Sequence, residues 1–300
     1  MSITSKGSNS KRQAELNTGS GMGMRLTRRI QIVLTYIVLL GGAFVLMIPF
    51  FWMISTSLKT LDEVQSWPVV WIPGHWMFSN YIDVFTEIPF ARFLANSVII
   101  SVGGIIGSLV SSSISGFGFA RLRFPGRNIL FFVMLTTLML PAWVVIVPHF
   151  MMFSFIGWLD TFLPIIVPAF FGNAFYIFLF RQYFMGVPRE LEDAARIDGC
   201  NTFQIFTQIF LPMSKPIIAT VAIFAFFYYW NDLLYPLVYL RSQMNFPVSL
   251  GMRMFVSAHA IVDYPRLMAT AMMTLLPCIV LFFSFQRLYI QGVVITGVDK

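Results

Sequence analysis

Residues 188–216 read PRELEDAARIDGCNTFQIFTQIFLPMSKP. Six of the thirteen residues from Pro188 to Cys200 are charged, in a chain that is 11% charged overall. Apolar sequence lies on both sides. Pro188 suits the first helical position, where its missing N–H costs nothing. Glu190, Glu192 and Asp193 place negative charge in the N-terminal turns, where the helix dipole favours it. Gly199 can end the helix in a left-handed conformation. Asn201 can cap a second helix, with Gln204 as its capping-box partner. Phe203, Phe206 and Phe210 then recur at roughly helical spacing. Leu211-Pro212 is expected to break that helix, and Lys215-Pro216 to open the next. The pattern predicts a short surface helix, a tight bend and a second, amphipathic helix. Small Ala194 and Ala195 would let a partner's backbone approach, and the acids would orient it.

The surroundings of this insertion define the protein class. The chain has 300 residues, 57% of them hydrophobic, with a mean hydropathy of +0.76. Soluble domains sit near 45–50% apolar and about 25% charged, so this is an integral membrane protein of helical type. A bilayer core takes about 20 apolar residues as helix. Runs of that kind predict six spans, at about 30–57, 93–118, 128–150, 161–183, 216–240 and 267–288. The expected fold is therefore an all-α membrane protein of six transmembrane helices. A cytoplasmic loop over 186–215, bearing the short helix, would separate helices 4 and 5. Residues 1–29 are Ser/Gly/Lys-rich without an apolar period and read as a disordered basic cytoplasmic tail. Residues 30–300 form one six-helix transmembrane domain, and the external segments are too short to fold alone.

Fifteen of the twenty basic residues fall on one side of this plan. They are Lys6, Lys11, Arg12, Arg25, Arg28, Arg29, Arg121, Arg123, Arg127, Arg181, Arg189, Arg196, Lys215, Arg287 and Lys300. Lys59, Arg92, Arg241, Arg253 and Arg266 lie on the other. The positive-inside rule puts both termini and the insertion in the cytoplasm. The net charge of +7 is thus topological and does not indicate nucleic acid.

Catalytic patterns are missing. His75, His149 and His259 have no metal-ligand spacing, and Cys200 and Cys278 fall in different regions. No phosphate loop, zinc-protease motif or nucleophile elbow occurs. The chain is not read as an enzyme, and no cofactor is expected on it. Trp67, Trp71 and Trp76, beside Pro68 and Pro73, suit interfacial anchoring, with sugar stacking as the alternative. Asp232 is the one acid inside a predicted span, and intramembrane ionisable groups face cavities or partners. With Asn173, Tyr229 and Asn231 it forms a candidate substrate set. The bland reading makes Asp232 a structural anchor and Asn173 packing glue. The run Ser111–Ser113, Ser115 and Gly116 reads as close helix packing. Pro141, Pro148, Pro164 and Pro168 interrupt the third and fourth spans, as backbone beside a cavity tolerates.

The order of residues in the insertion resembles the signature of ATP-binding-cassette importer permeases, E-A-A-x-x-D-G-x(9)-I-x-L-P. Here Asp193-Ala194-Ala195-Arg196-Ile197-Asp198-Gly199 is followed by nine residues and then Ile209-Phe210-Leu211-Pro212. Asp193 stands where Glu is usual and Cys200 where Ala is usual. Residues 116–126 (GFGFARLRFPG) look like the family's end of helix 2 and following loop. Trp230-Asn231-Asp232 and Phe246–Gly251 resemble its carbohydrate branch. Gln286-Arg287-Leu288-Tyr289 with Gly292 and Gly297 resembles the end of the shorter, six-helix maltose-type permeases.

This resemblance implies a pore-forming subunit in a bacterial inner membrane. It would pair with a second, homologous but non-identical permease subunit and with two ATP-binding subunits that hold Mg-ATP. An external solute-binding protein would deliver a di-, oligo- or polysaccharide for alternating-access import. Glu190, Asp193, Ala194, Ala195, Asp198 and Gly199 would form the coupling helix seated on an ATPase, with residues 297–300 as a further contact. The alternatives are an importer of a polyol or glycerol phosphate and, more distantly, a secondary transporter, which needs coupling groups beyond Asp232.

Overall fold

The computed structural model describes residues 7–255 and 262–294, with side chains described for 28–255 and 262–285. His259 and residues 297–300 lie outside the described residues. The regular secondary structure described is helical. In chain order the α-helices are α1 (Gly7–Ser57), α2 (Leu61–Gln65), α3 (Ser79–Glu87), α4 (Phe90–Arg121), α5 (Arg127–Thr136), α6 (Ala142–Phe155), α7 (Leu163–Ile166) and α8 (Ala174–Met185). They continue with α9 (Arg189–Ile197), α10 (Thr202–Ile205), α11 (Leu211–Met213), α12 (Lys215–Trp230), α13 (Leu234–Tyr239), α14 (Val248–Gly251) and α15 (Tyr264–Val294).

Among the described residues, four stretches are long and apolar enough to cross a bilayer unaided: Arg28–Ser57, Phe90–Arg121, Leu163–Met185 and Tyr264–Phe285. Two bent pairs raise the total to six if each pair is one span. The third expected span bends by 98° between Met139 and Ala142. Pro141 is the cause, since it lacks an N–H and disfavours helix at the residue before it. Pro148, by contrast, stays inside α6. The fifth expected span, 216–240, is not continuous either. It stops at Trp230, and the chain restarts as α13 at Leu234. Helix is also drawn from Gly7, in the segment that composition marks as a tail. There Lys11–Leu16 (KRQAEL) are mostly strong helix formers.

α4 is the hub, packed on α8, α12 and the 3₁₀ turn Val167–Phe171. Its small residues make this possible. Ser111, Ser112, Ser113 and Gly116 are buried, and Ser111 Oγ donates to Ala169 O at 2.8 Å as well as to Gly107 O in its own helix. A Cβ at Gly116 would lie 2.6 Å from Phe180 Cβ and 3.1 Å from Arg181 N. The α4 and α8 backbones therefore approach closely, as small residues permit in membrane helices.

The loops at the end away from the insertion are also organised. Asn96 Nδ2 donates to Met244 O and Phe246 O, and Val248 N–H donates to Ser97 Oγ. Arg266 bridges Asp83 (3.3 Å), Glu87 (3.1 Å) and Asp263 (2.5 Å). Asp160, left-handed at φ 61°, accepts from Arg241 N–H (3.0 Å), Ser242 N–H (2.9 Å), Ser242 Oγ and Asn245 Nδ2. Its own N–H donates to Tyr239 O at 2.8 Å.

Partial burial pushes the Asp160 carboxyl up, but these four donors outweigh it and hold it well below the usual carboxylate range. A carboxyl so depressed stabilises the fold above its unfolded value of about 3.9 and loses that contribution as pH falls through its folded value. Asp160→Asn tolerates the left-handed backbone and removes the charge. Its melting temperature is expected to trail the parent's by a constant gap above about pH 5, a gap that begins to narrow below about pH 4 and is lost only as pH falls on through the depressed folded value. Thermal unfolding in detergent between pH 3 and 7 checks this, and a pH-independent gap would refute it.

Candidate functional site

The insertion folds largely as its residue order predicts, with shifts of one or two positions. Pro188 is the residue before the helix (φ −56°, ψ 141°), and Arg189 is the first helical residue. Glu190 and Glu192 occupy the first turn, Asp193 follows, and Arg196 lies in the last turn. α9 ends in a Schellman motif: Cys200 N–H donates to Ala195 O (2.9 Å), Gly199 N–H to Arg196 O (3.1 Å), and Gly199 is left-handed at φ 84°. The Asn201–Gln204 capping box is present in both directions, at 2.9 and 2.8 Å. The second helix passes through one π-helical turn, Phe206–Phe210, and α11 carries it beyond Pro212. The break falls at Ser214, where the chain bends 77° into α12. Pro212 sits in the first turn of α11, where its lack of an N–H is tolerated.

Two expectations about α9 change. Ala195 is buried against its own chain, in a core with Phe117, Phe184, Phe206 and Phe210. Its small size serves to seat α9 on the bundle, so partner approach falls to exposed Ala194 alone. The Phe series also divides. Phe206 and Phe210 are buried, whereas Phe203 is 70% exposed, near Ile197 at 87%. Glu190, Asp193, Asp198 and Gly199 are exposed. The exposed residues of the insertion thus include apolar Ala194, Ile197 and Phe203 and acidic Glu190, Asp193 and Asp198.

The clamp that holds this surface is Arg121, at the end of α4, which the motif reading passed over. Its guanidinium donates to Phe184 O at 2.5 Å and to Val187 O. It lies over the Phe210 ring at 4.8 Å and within 4.0 Å of Glu192. Glu192 also takes Arg196 at 2.9 Å. Arg121 thereby ties the ends of α4 and α8 to α9. The available signal was its place in the GFGFARLRFPG stretch next to a basic loop.

The second region lies toward the far ends of α8 and α12. α12 spans 16 residues, about 24 Å of helix. A cavity of about 170 Å³ is lined by His149, Phe153, Asn173, Tyr228, Tyr229, Tyr235 and Tyr239, with Pro164, Pro168 and their neighbours. Of the sequence candidates, Asn173 and Tyr229 line it. Asn173 Oδ1 is engaged as the α8 cap, accepting from Phe175 N–H (3.0 Å) and Tyr176 N–H (3.3 Å). Asp232 sits in the break after α12 and accepts from Tyr235 N–H at 3.3 Å. Its backbone carbonyl takes Ser249 Oγ at 2.6 Å, and its Oδ2 is buried without a partner. Asn231 is exposed and donates back to Phe227 O at 3.0 Å, away from the others. His149, Tyr228, Tyr235 and Tyr239 are additions. The spacing of the four tyrosines in YYWNDLLYPLVY was their signal. Tyr239 Oη is buried and unpartnered, and its ring stacks on Tyr235 (5.9 Å) and meets Phe153 edge-on (5.4 Å). Among the described residues no group of three His, Cys, Asp or Glu side chains is placed to hold a metal.

The exposed insertion follows one end of α8, and the cavity lies by the other, at Asn173. The family described as "Binding-protein-dependent transport system inner membrane component" matches residues 103–294. The arabinooligosaccharides transport system permease protein AraQ of Halalkalibacterium halodurans is 34% identical over 279 residues, covering 91% of this chain and 99% of that protein. The lactose transport system permease protein LacG of Rhizobium radiobacter is 33% identical, covering 89% and 96%. The sn-glycerol-3-phosphate transport system permease protein UgpE of Brucella abortus is 29% identical, covering 90% and 98%. A chain in the crystal structure of a bacterial ABC transporter involved in the import of the acidic polysaccharide alginate has the same fold (TM-score 0.77, 24% identity, 86% and 96% covered). The chain belongs to this family of binding-protein-dependent permeases. It is the multi-pass inner-membrane component of an ABC importer, distinct from the ATPase, and works with ATPase and binding-protein partners.

Proposed function

We propose that this chain moves an uncharged di-, oligo- or polysaccharide into the cytoplasm by alternating access. It would be paired with a homologous, non-identical permease subunit above two ATPase subunits. The observation that carries the substrate class is the lining of the cavity. Tyrosine rings supply stacking faces, and the Asn173 amide N–H groups supply donors for sugar hydroxyls. Among the described lining residues there is no Lys or Arg to meet a phosphate or a carboxylate. This favours a neutral sugar over glycerol 3-phosphate, although relatives of both kinds exist. The Lys/Arg bias supports cytoplasmic termini and a cytoplasmic insertion. The apolar patch of Ala194, Ile197 and Phe203, rimmed by Glu190, Asp193 and Asp198, supports seating of α9 in a cleft of an ATPase subunit. Gly199 would set the bend that presents it.

The test is uptake into proteoliposomes carrying the assembled transporter and its binding protein. Tyr228 is the position to change, because it is exposed to the cavity whereas the Tyr229 ring packs against Gly104. Tyr228→Ala is expected to weaken sugar uptake about threefold to tenfold at low substrate, the scale of one lost aromatic contact. Ile197→Asp is expected to abolish co-purification of the ATPase subunits. Uptake of glycerol 3-phosphate but no oligosaccharide would refute the substrate class, and normal ATPase recovery with Ile197→Asp would refute the docking surface.

A further inference from the structure

The basic residues beside α9 do more than set topology. An open cavity of about 430 Å³ is lined by Arg123, Phe124, Gly126, Arg127, Asn128, Ile129 and Arg189. Three guanidinium-bearing residues from two segments meet there, and no acidic side chain lines it. Among the described residues, no carboxylate lies within the 4.0 Å ion-pair distance of Arg123, Arg127 or Arg189, whereas neighbouring Arg121 and Arg196 both reach Glu192. Arg127 is held in place by a hydrogen bond to Leu122 O at 3.2 Å. The floor of the cavity is the first turn of the ten-residue α5, which follows a left-handed Gly126 with no side-chain cap. A helix N-terminus adds partial positive charge in the same direction. Arg123 and Arg189 also border the next cavity with Glu192 and Asp193, but outside ion-pair distance, so net positive charge faces this cavity and an anion fits it.

The surface beyond the cavity identifies the kind of anion. Ile129, Leu130, Phe132 and Val133 lie within α5 and are 53–70% exposed. A charged pocket thus opens onto an apolar helix face, at the boundary where a span leaves the bilayer. A free phosphate would use only the pocket, whereas a phospholipid would use both parts. We propose that Arg123, Arg127 and Arg189 bind the phosphate of an anionic phospholipid, whose acyl chains lie along the exposed face of α5. Arginine forks suit phosphate oxygens, and basic pockets between membrane helices on the cytoplasmic side recruit such headgroups. Assignment to the cytoplasmic leaflet rests on the orientation proposed above. The binding itself does not, so the test is run where leaflets are absent.

The intact transporter, purified in mild detergent, is titrated with dioleoyl phosphatidylglycerol or dioleoyl phosphatidylcholine, and bound lipid is counted by native mass spectrometry. Phosphatidylglycerol is expected to be retained about tenfold better than phosphatidylcholine, whose phosphate is offset by a choline cation that the arginines repel, about 1.4 kcal/mol. Arg123→Ala/Arg127→Ala should remove that preference, Arg123→Lys/Arg127→Lys should keep part of it, and Arg253→Ala, at the opposite end, should leave it intact. Retention of the lysine response separates lost charge from lost fold. Unchanged preference in the alanine pair overturns the proposal. So does displacement of the lipid by millimolar inorganic phosphate, which would mark a soluble-anion site. A preference seen only after the ATPase subunits are stripped off, and absent from the intact transporter, also overturns it, because the arginines would then belong to a protein contact.

Discussion

Arg121→Ala is expected to reduce uptake about tenfold or more while the chain still inserts into the membrane. Arg121 lies at the junction of three elements. It fills the carbonyls of Phe184 and Val187, covers the Phe210 ring and faces Glu192. Alanine leaves those carbonyls without their charged donor at a part-buried site. Hydrogen bonds to charged groups are worth about 1.5–3 kcal/mol each, and 1.4 kcal/mol is a factor of ten. The loss falls on the connection between α9 and the bundle, so the phenotype should be uncoupling. The assembled complex should keep basal ATP hydrolysis and lose its stimulation by loaded binding protein. Arg121→Lys keeps the charge and N–H donors but loses the planar guanidinium that covers Phe210 and faces Glu192, and is expected to be intermediate. Parental uptake and parental stimulation in Arg121→Ala would show that the clamp carries no force.

Gly116→Ala should be nearly as damaging, for a steric reason. The added Cβ would meet Phe180 Cβ at 2.6 Å, Arg181 N at 3.1 Å and Ile177 O at 3.2 Å. Two of these are backbone atoms of α8, so the conflict cannot be relieved by a rotamer change. The helices must separate, at about 1–3 kcal/mol. Arg121 is on the same helix and its carbonyl partners are on the other, so separation also strains the clamp. Gly118→Ala is the control. A Cβ there meets nothing within 4 Å, and the change should stabilise by up to about 1 kcal/mol through helix propensity. Thermal unfolding and uptake of both variants check the pair. Equal behaviour would mean that α4 and α8 do not pack as closely as Gly116 implies.

The contrast between those glycines shows how far the residues could be read in one dimension. Gly116 and Gly118 belong to the same stretch, and nothing in their spacing says which one faces α8. The same holds for Ala194 and Ala195, adjacent in the signature, one exposed and one buried. Features set by local backbone chemistry were legible. Gly199 in its left-handed turn, the Asn201–Gln204 box and the proline-linked bend of the third span all depend on neighbours within a few residues. Features set by packing were not. The break at Asn231–Leu233 looked like continuous apolar span, because Asp232 capping Tyr235 outweighs a hydropathy average. Asn173 and Tyr229 were chosen for type and position, but their meeting with His149 and Tyr239 depends on how α6, α8 and α13 converge.

The sequence by itself determined that this is a helical membrane protein, where its polar insertion begins and ends, and which family of permeases it resembles. Hydropathy, charge bias and turn chemistry are sums over short windows, and they survive without coordinates. Only the tertiary structure decided that Arg121 holds the insertion to the bundle, that Ala195 faces inward and Ala194 outward, and that four tyrosines share one cavity. Those facts depend on distances between residues far apart in the chain, such as the 63 positions separating Arg121 from Phe184. Such distances are set by the packing of whole helices.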